Sequence, residues 1–457
     1  MIKRVRAFWR RKFVQDTLAL QIGGLGVTAL GLLAWIVVPV ALGPEKYGTW
    51  ALAQSFLAIW DTLNLTGLGV TVSTLLAVAV GARDEPEMLR LLGVFVRVSL
   101  LWGALSVVVL ALAGPPLAQA IYPQAAQAGG GAQIGALAAA LALTLLIDPF
   151  YALVTTALQS RRSMRALAAL QTANQLVLTA CLVAAALLRP EPETLVVARL
   201  AYSLITALLA LWLYERLRGQ GAVAYPPLRA VLARARSASY RPYWRFGLAN
   251  ALDKNAAQLF TQLPLQLTGV IGGLAAAGFL QLALRLFQQA SVFTSAVFSN
   301  LQAVVPQAVG RGDYARLYRG FTRLTLALLG GGVLFYGALA LAGPALIAWV
   351  VAPLFGEEWL DVIPLLPVLA VFGVATTVGG VFGPLYRAFE MAGAALAVKV
   401  VALALMIPLG AALIGAWGAV GGAWMVSGLY ALSVALTAAL TLPALRRRAR
   451  GEEAAHG

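Results

Sequence analysis

The chain has few of the residues on which most enzyme chemistry depends. Its 457 residues include one cysteine, Cys181, and one histidine, His456. One cysteine permits no intramolecular disulfide, and a lone terminal histidine offers neither a His/Cys metal cluster nor the base of a triad. No glycine-rich phosphate loop followed by lysine occurs, so no nucleotide-driven motor is built in. We therefore predict a protein that is not an enzyme and has no metal or other cofactor.

Acidic residues are also scarce, at 18 Asp and Glu against 34 Lys and Arg. Charged residues make up only 11% of the chain, whereas about 25% is usual for a soluble domain, and 61% is hydrophobic. The net charge of +16 does not indicate a nucleic-acid partner, because the arginines lie in loops between apolar runs, where they set topology and meet anionic lipid headgroups.

The acids predicted outside the membrane are scattered on short segments, which disfavours a membrane glycosyltransferase or polymerase. They are Glu45, Glu191, Glu193, Glu357, Glu358 and Asp361.

Apolar runs of about 20 residues, the length that crosses a bilayer, occur about twelve times. They begin near Thr17, Tyr47, Met88, Ala132, Ser163, Thr194, Phe246, Ala275, Leu317, Trp359, Met391 and Trp417. The first run is longer than the roughly 7–15 apolar residues of a cleaved signal peptide, so we expect a retained span. The predicted fold is an all-α polytopic membrane protein.

The cations alternate between loops. With a cytoplasmic N-terminus, the predicted inside segments carry 28 of the 34 Lys and Arg, and the outside segments carry only Lys46 and Arg189. Because loops rich in Lys and Arg stay in the cytoplasm, both termini are predicted to be cytoplasmic. Four cations remain within spans: Arg97, Arg199, Lys254 and Arg285.

The longest hydrophilic stretch divides the spans six and six. We predict a lobe at residues 1–215, a basic cytoplasmic linker at 216–245, a second lobe at 246–445 and a cytoplasmic tail at 446–457. Two short motifs recur in the same order in both lobes, so corresponding helices should run in the same direction about an axis along the membrane normal. The matching segments are residues 79–84 with 308–313, and 149–151 with 384–386.

The eighth span contains a stripe of polar residues spaced three and four apart, which puts them on one side of a helix. They are Gln281, Arg285, Gln288, Ser291, Ser295, Ser299 and Gln302. A charge at mid-membrane costs about 2.5–3.5 kcal/mol on insertion scales, so the stripe should face protein or a water-filled cavity.

The seventh span has a similar polar pattern, formed by Asn250, Asp253, Lys254, Gln258, Thr261 and Gln262. Lys254 should lie roughly 12 Å deep and Arg285 near mid-depth, at 1.5 Å per residue. Together they would attract an anion, with Gln281, Gln288, Gln258 and Asn250 as further substrate-binding candidates. The alternatives are that Lys254 pairs with Asp253 or snorkels, and that Arg285 pairs with Asp61 or Asp148.

In the first lobe, Gln54, Asp61, Asn64 and Thr71 are predicted to share one face of the second span, and Asp148 lies in the fourth. A carboxylate in a low-dielectric site suits H⁺ or Na⁺ binding, so Asp61, Asp148 and Asn64 are ion-coupling candidates. Asp61 is equally compatible with simple neutralisation by an arginine. Arg97 and Arg199 are expected to snorkel from their span ends.

Several segments of the chain resemble the polysaccharide (oligosaccharidyl-lipid) flippase family of the multidrug/oligosaccharidyl-lipid/polysaccharide exporter superfamily. They are Val38-Pro-Val-Ala-Leu-Gly43-Pro-Glu-Lys-Tyr47-Gly48, Gly67-Leu-Gly69, Pro306-Gln-Ala-Val-Gly-Arg-Gly-Asp313 and Ile407-Pro-Leu-Gly…Gly415-Ala-Trp-Gly418-Ala-Val-Gly-Gly422. The resemblance extends over nearly the whole chain, although its motifs consist mostly of glycine, proline and small residues.

That resemblance implies two six-helix lobes around a central cavity in a bacterial or archaeal cell membrane. It also implies translocation of a polyprenyl-pyrophosphate-linked oligosaccharide to the outer leaflet, with membrane lipids and polysaccharide assembly proteins as partners. The alternatives are a cation-coupled exporter of small amphipathic compounds and a major-facilitator carrier. Residues 81–87 lack the second half of the loop signature that the latter requires. A non-transporting scaffold would not need buried polar stripes. The sequence leaves open the sugar, the coupling ion and the oligomeric state.

Overall fold

The computed structural model describes residues 12–123, 130–161, 163–220, 224–290, 298, 301, 305, 309, 314–346, 348–349, 353, 356–389 and 391–456. Regular secondary structure in these residues is entirely helical. The α-helices are α1 (Lys12–Asp61), α2 (Leu68–Ala82), α3 (Glu85–Ile121), α4 (Gly130–Ala142), α5 (Thr144–Ser160), α6 (Met164–Leu188), α7 (Pro192–Leu217), α8 (Leu228–Ala235), α9 (Trp244–Leu267), α10 (Leu274–Ala290), α11 (Tyr314–Leu346), α12 (Leu365–Ala388), α13 (Ala392–Trp417) and α14 (Ala419–His456).

The twelve predicted spans correspond, in order, to helices of the structure. Among the described residues, eight helices are long and apolar enough to cross a membrane, and the bent pair α4–α5 makes a ninth. The other three predicted spans fall on the second half of α1 continued by α2, on the polar helix α9, and on α10. The prediction of an all-α polytopic membrane protein is confirmed.

The kink in α1 lies at Gly43, whose φ of 73° and ψ of 169° are not helical. Glycine reaches this conformation without the steric penalty of a Cβ. The kink also marks a division of the chain into two compact units. The first unit comprises residues 1–42 and 56–254, and the second comprises residues 43–55 and 255–457. The predicted lobe boundaries at 215 and 246 are not tested by this division and stay a prediction.

The first unit is built around α3. Asp84 caps this helix by accepting a 3.0 Å hydrogen bond from the Glu87 amide, and the acids Glu85 and Glu87 in the first turn favour the positive end of the helix dipole. The buried side chains of α3 pack against α2, α4, α5 and α8. Four neighbouring elements therefore hold one long apolar helix in position.

The predicted linker is folded and belongs to the first unit. Helix α8 buries Val231 and Ala235 against α3. The hydroxyl of Tyr225 donates to the Ala157 carbonyl at 3.0 Å. Arg97 donates to the Ala238 carbonyl at 2.7 Å. The expectation that Arg97 snorkels is wrong, because a backbone carbonyl of the linker supplies the polar partner that a headgroup would otherwise provide.

The second unit packs α11, α12, α13 and α14 together, with α10 against α12 and α14. One of its apolar clusters contains Phe260, Met406 and Met425, all buried. The residues expected to form a cytoplasmic tail continue α14 as helix to His456. Within that extension, the Arg448 guanidinium lies 4.4 Å from the centre of the Phe389 ring.

Candidate functional site

Helix α10 carries the predicted anion-binding arginine. Its backbone lies very close to the backbone of residues 43–55. The backbone at Gly48 lies against the Leu274 carbonyl, and the backbone at Gly278 lies against the Pro44 carbonyl, where a Cβ at either glycine would overlap the facing oxygen. Glycine thus lets the two segments approach closely. The Gly43–Tyr47–Gly48 segment on which the family resemblance rests is therefore the part of the first half that packs into the second unit.

Arg285 lies on the exposed side of α10. Leu284 and Phe287 are buried on its other sides, whereas Arg285 and Gln288 are exposed and Gln281 is half-buried. Among the residues that the structure describes, Arg285 has no ion-pair partner. The other predicted members of the stripe, Ser291, Ser295, Ser299 and Gln302, lie outside the described residues.

Lys254 lies on α9 and is also exposed, without an ion-pair partner in the described part of the chain. The side chain of Asp253, the alternative partner of Lys254, and that of Asn250 lie outside the described residues. Gln258 is half-buried, and its carbonyl accepts from the Thr261 hydroxyl at 3.1 Å. Lys254 ends the first unit and Arg285 belongs to the second, so a shared anion site stays a prediction.

Asp148 and Arg199 form an ion pair inside the first unit. Nη2 of Arg199 lies 2.9 Å from Oδ2 of Asp148, and Nη1 donates to the Ser203 hydroxyl at 3.0 Å. The guanidinium stacks 4.6 Å from the Tyr202 ring centre, and the Tyr202 hydroxyl donates to Asn174 Oδ1 at 2.9 Å. The group joins α5, α6 and α7.

The Asp148–Arg199 ion pair corrects the expectation that Arg199 snorkels. It also removes the alternative that Asp148 pairs with Arg285. Arg199 on α7 does not snorkel, because the carboxylate of Asp148 on the neighbouring helix α5 pairs with its charge within the protein. Asp148, an ion-coupling candidate, already has an internal cation. Reasoning from the sequence missed Tyr202 and Ser203, although both follow Arg199 at the three- and four-residue spacing that puts side chains together on a helix.

Asp61 accepts a hydrogen bond from a tryptophan. Its Oδ1 accepts a 3.0 Å hydrogen bond from Nε1 of Trp102. The Trp102 ring stacks on Trp60, with centres 6.1 Å apart and planes 16° apart, and Trp60 Nε1 donates to the Ser106 hydroxyl at 2.9 Å. Asp61 is half-buried and forms no ion pair among the described residues. A neutral donor thus replaces the arginine that the alternative interpretation required.

The single polar face predicted for the second span is wrong. Helix α1 ends at Asp61 and α2 begins at Leu68, so Gln54 and Asp61 lie on one helix and Thr71 on another. Asn64 lies in the turn between them, where its Oδ1 accepts from the Thr66 amide at 3.2 Å and the Thr66 hydroxyl at 2.7 Å. Asparagine favours such a turn, because its side chain bonds the backbone two residues on.

One comparison with known proteins identifies a family. A family model described as "Polysaccharide biosynthesis protein" matches residues 41–364. No curated protein sequence matches the chain.

Several solved structures share the fold at low sequence identity. An inward-facing multidrug resistance MATE family transporter of the MOP superfamily superposes with a TM-score of 0.72 at 16% identity, over 93% of this chain and 99% of that one. A MOP superfamily transporter from Pyrococcus furiosus, described as having a binding pocket of reverse polarity, gives 0.64 at 16% identity, over 96% and 95%. The MATE multidrug transporter DinF-BH, in complex with R6G, gives 0.65 at 15%, over 93% and 94%.

The family match covers more than half of the chain, and the structural likeness extends over nearly all of it. The chain is thus a multi-pass membrane protein that belongs to the polysaccharide biosynthesis protein family and has the fold of the MOP superfamily, as its sequence resemblance predicts.

Proposed function

We propose that the protein is a flippase that moves a polyprenyl-pyrophosphate-linked oligosaccharide from the cytoplasmic to the outer leaflet by alternating access, for cell-surface polysaccharide export. Its setting would be a bacterial or archaeal cell membrane, with both termini cytoplasmic. Its partners would be membrane lipids and polysaccharide assembly proteins. Membership of the polysaccharide biosynthesis protein family supports this class of substrate.

The observation that carries the proposal is the exposed guanidinium of Arg285, the one charged side chain in the sequence of α10. An arginine at membrane depth costs about 2.5–3.5 kcal/mol to insert. The described residues give Arg285 no carboxylate that would offset this cost. A pyrophosphate would, because guanidinium binds phosphate oxygens through paired, charge-assisted hydrogen bonds.

Lys254 would add a second cation for the same headgroup, with Gln281, Gln288, Gln258 and Asn250 as hydrogen-bonding partners. The polyprenyl chain would stay in lipid while the charged headgroup crosses through the protein. A charged headgroup that crosses through the protein needs cations and amides within the spans, and the seventh and eighth spans contain both.

Coupling to H⁺ or Na⁺ would involve the first unit. Asp61 is the stronger candidate, because its described partner is a neutral indole that leaves the carboxylate free to exchange a proton or ion. Asp148 is bonded to Arg199. Asn64 supports the turn after α1, and its role in coupling would be to hold that turn beside Asp61.

The multidrug transporters among the structural neighbours favour a second candidate, a cation-coupled exporter of small amphipathic compounds. Such a protein needs acids that meet cationic substrates. Arg285 and Lys254, which have no ion-pair partner among the described residues, favour the flippase instead.

The test is translocation of lipid-linked sugar by Arg285→Ala in reconstituted vesicles, read as the fraction of substrate that a membrane-impermeant glycosidase can reach. We expect the variant to fold and to lose translocation, and Arg285→Lys to retain part of it, because the positive charge remains. Full activity of Arg285→Ala would reject the pyrophosphate assignment.

A further inference from the structure

A cavity inside the second unit lies between α9, α12 and α14. Its volume is about 210 Å³. Its lining combines aromatic rings, glycines and hydroxyl groups, and none of the lining residues that the structure describes is charged. A cavity of this size is smaller than the roughly 300–1,000 Å³ of sites for drug-sized ligands, so it fits a single ring-sized group.

One wall of the cavity is a row of hydroxyl groups on α14. Tyr430, Ser433 and Thr437 are three and four residues apart, which puts them on one face of the helix, and all three line the cavity. Within the described part of the chain, none of these hydroxyls has a hydrogen-bond partner. The Tyr430 ring is held edge-on by Phe260 and Phe372, at 5.5 and 4.9 Å between centres.

The opposite wall is a row of small residues on α12, formed by Ala375, Gly379 and Gly383 at a spacing of four. A Cβ added at Gly383 would meet no atom within 4 Å, so this position opens into free space. Glycine costs a helix interior up to about 1 kcal/mol relative to alanine. At Gly383 the helix accepts this cost at a position that leaves the cavity open, whereas at Gly379 the missing Cβ lets Val434 of α14 pack closely.

We propose that this cavity binds one uncharged sugar ring of the lipid-linked substrate; the inference rests on the proposed flippase function. Tyr430, Ser433 and Thr437 are half-buried, and a hydroxyl without a partner is unfavourable wherever lipid or protein excludes water from it. A suitable occupant forms hydrogen bonds to these hydroxyls along one edge and presents a C–H face to the aromatic side chains. A pyranose ring has both features, whereas a polyprenyl chain has only the apolar one and a pyrophosphate would lack any cation here.

The test compares two probes for binding to the full-length protein in nanodiscs: polyprenyl pyrophosphate, and the same lipid carrying one N-acetylglucosamine. We expect the wild type to bind the glycosylated lipid more tightly. The double variant Ser433→Ala/Thr437→Val should lose about tenfold of that preference, which corresponds to about 1.4 kcal/mol. It should bind the sugar-free lipid as before.

Two further variants sharpen the comparison. Thr325→Val on α11 is the matched control, because the Thr325 hydroxyl also lacks a partner among the described residues but does not line the cavity; it should keep the full preference. Gly383→Leu places its Cβ in open space beside the cavity and suits a helix better than glycine, so it should fold, fill part of the cavity and abolish the preference.

The possible failures are distinguishable. Equal binding of both probes by the wild type, an unchanged preference in the cavity variants, or an equal loss for both probes would each overturn the sugar site while leaving the flippase proposal standing. The last two results would indicate a cavity that holds water or lipid. If the wild type binds neither probe, the proposed function itself fails, and the sugar site fails with it.

Discussion

The carboxylate of Asp148 and the guanidinium of Arg199 meet at 2.9 Å between two membrane-spanning helices, 51 residues apart in the sequence. Arg199 is 24% and Asp148 39% exposed, so the pair lies between a surface and a fully buried ion pair. Together with the Tyr202–Asn174 hydrogen bond, it ties α5, α6 and α7 into one polar cluster.

Removing one partner of this pair should destabilise the first unit. Asp148→Asn leaves the Arg199 charge without its anion, and we expect a loss of about 1–2 kcal/mol, between the values for exposed and buried pairs. Arg199→Gln should cost a similar amount. The double variant Asp148→Asn/Arg199→Gln should recover part of the loss, because amide hydrogen bonds replace the ion pair.

Reversible unfolding of the four proteins in the same detergent measures the coupling. If the two single losses simply add in the double variant, the residues do not stabilise each other, and the ion pair is not what holds these helices.

The sequence predicted the helices well because lipid imposes one solution. Backbone groups in a bilayer must be bonded within a helix, so each apolar run of sufficient length becomes a crossing. The partner of Arg199 was not predictable in the same way, because it depends on how α5 packs against α7. The same holds for the cavity: the hydroxyl spacing of Tyr430, Ser433 and Thr437 can be read from the sequence, but the space beside them depends on α12.

The break between α1 and α2 left a signal that the interpretation as one continuous span overlooked. Residues 62–67 contain Asn64 and Gly67, both favoured in turns, within an otherwise apolar run. Hydropathy alone does not reveal this interruption, because Leu63 and Leu65 keep the average high. In a membrane chain, an asparagine and a glycine three residues apart should therefore be examined as a helix end before they are assigned to a common face.

Asp61→Asn tests ion coupling, since it removes the charge and preserves the size of the side chain that accepts from Trp102. We expect transport in vesicles to lose its dependence on pH or Na⁺. Ser106→Ala on α3, the helix that carries Trp102, is the control, because Ser106 bonds Trp60 rather than Asp61, and it should keep the dependence. An unchanged ion dependence in Asp61→Asn would reject Asp61 as the coupling residue.

Gly67 supports the start of α2 in two ways. Its φ of 54° and ψ of 25° are left-handed, and a Cβ would overlap the Gly247 carbonyl oxygen. Gly67→Ala should therefore destabilise the first unit by at least about 1–2 kcal/mol, the cost of the left-handed conformation alone.

Gly69→Ala is its matched control, because Gly69 lies within α2 and a Cβ there meets nothing within 4 Å. This variant should be neutral or more stable by up to about 1 kcal/mol, through helix propensity. Thermal unfolding of both variants in one detergent gives the comparison; equal stabilities would show that the backbone at Gly67 is not constrained.

Arg97 should control how firmly the linker is held on the first unit. Its 2.7 Å hydrogen bond to the Ala238 carbonyl is charge-assisted, a class worth about 1.5–3 kcal/mol. Arg97→Met keeps much of the apolar side chain and removes the donor, so amide hydrogen exchange at residues 228–240 should accelerate by about tenfold or more. Arg236→Met, at an exposed arginine of the same segment, should leave exchange unchanged. Equal exchange in wild type and Arg97→Met would mean that the burial of Val231 and Ala235 alone holds the linker.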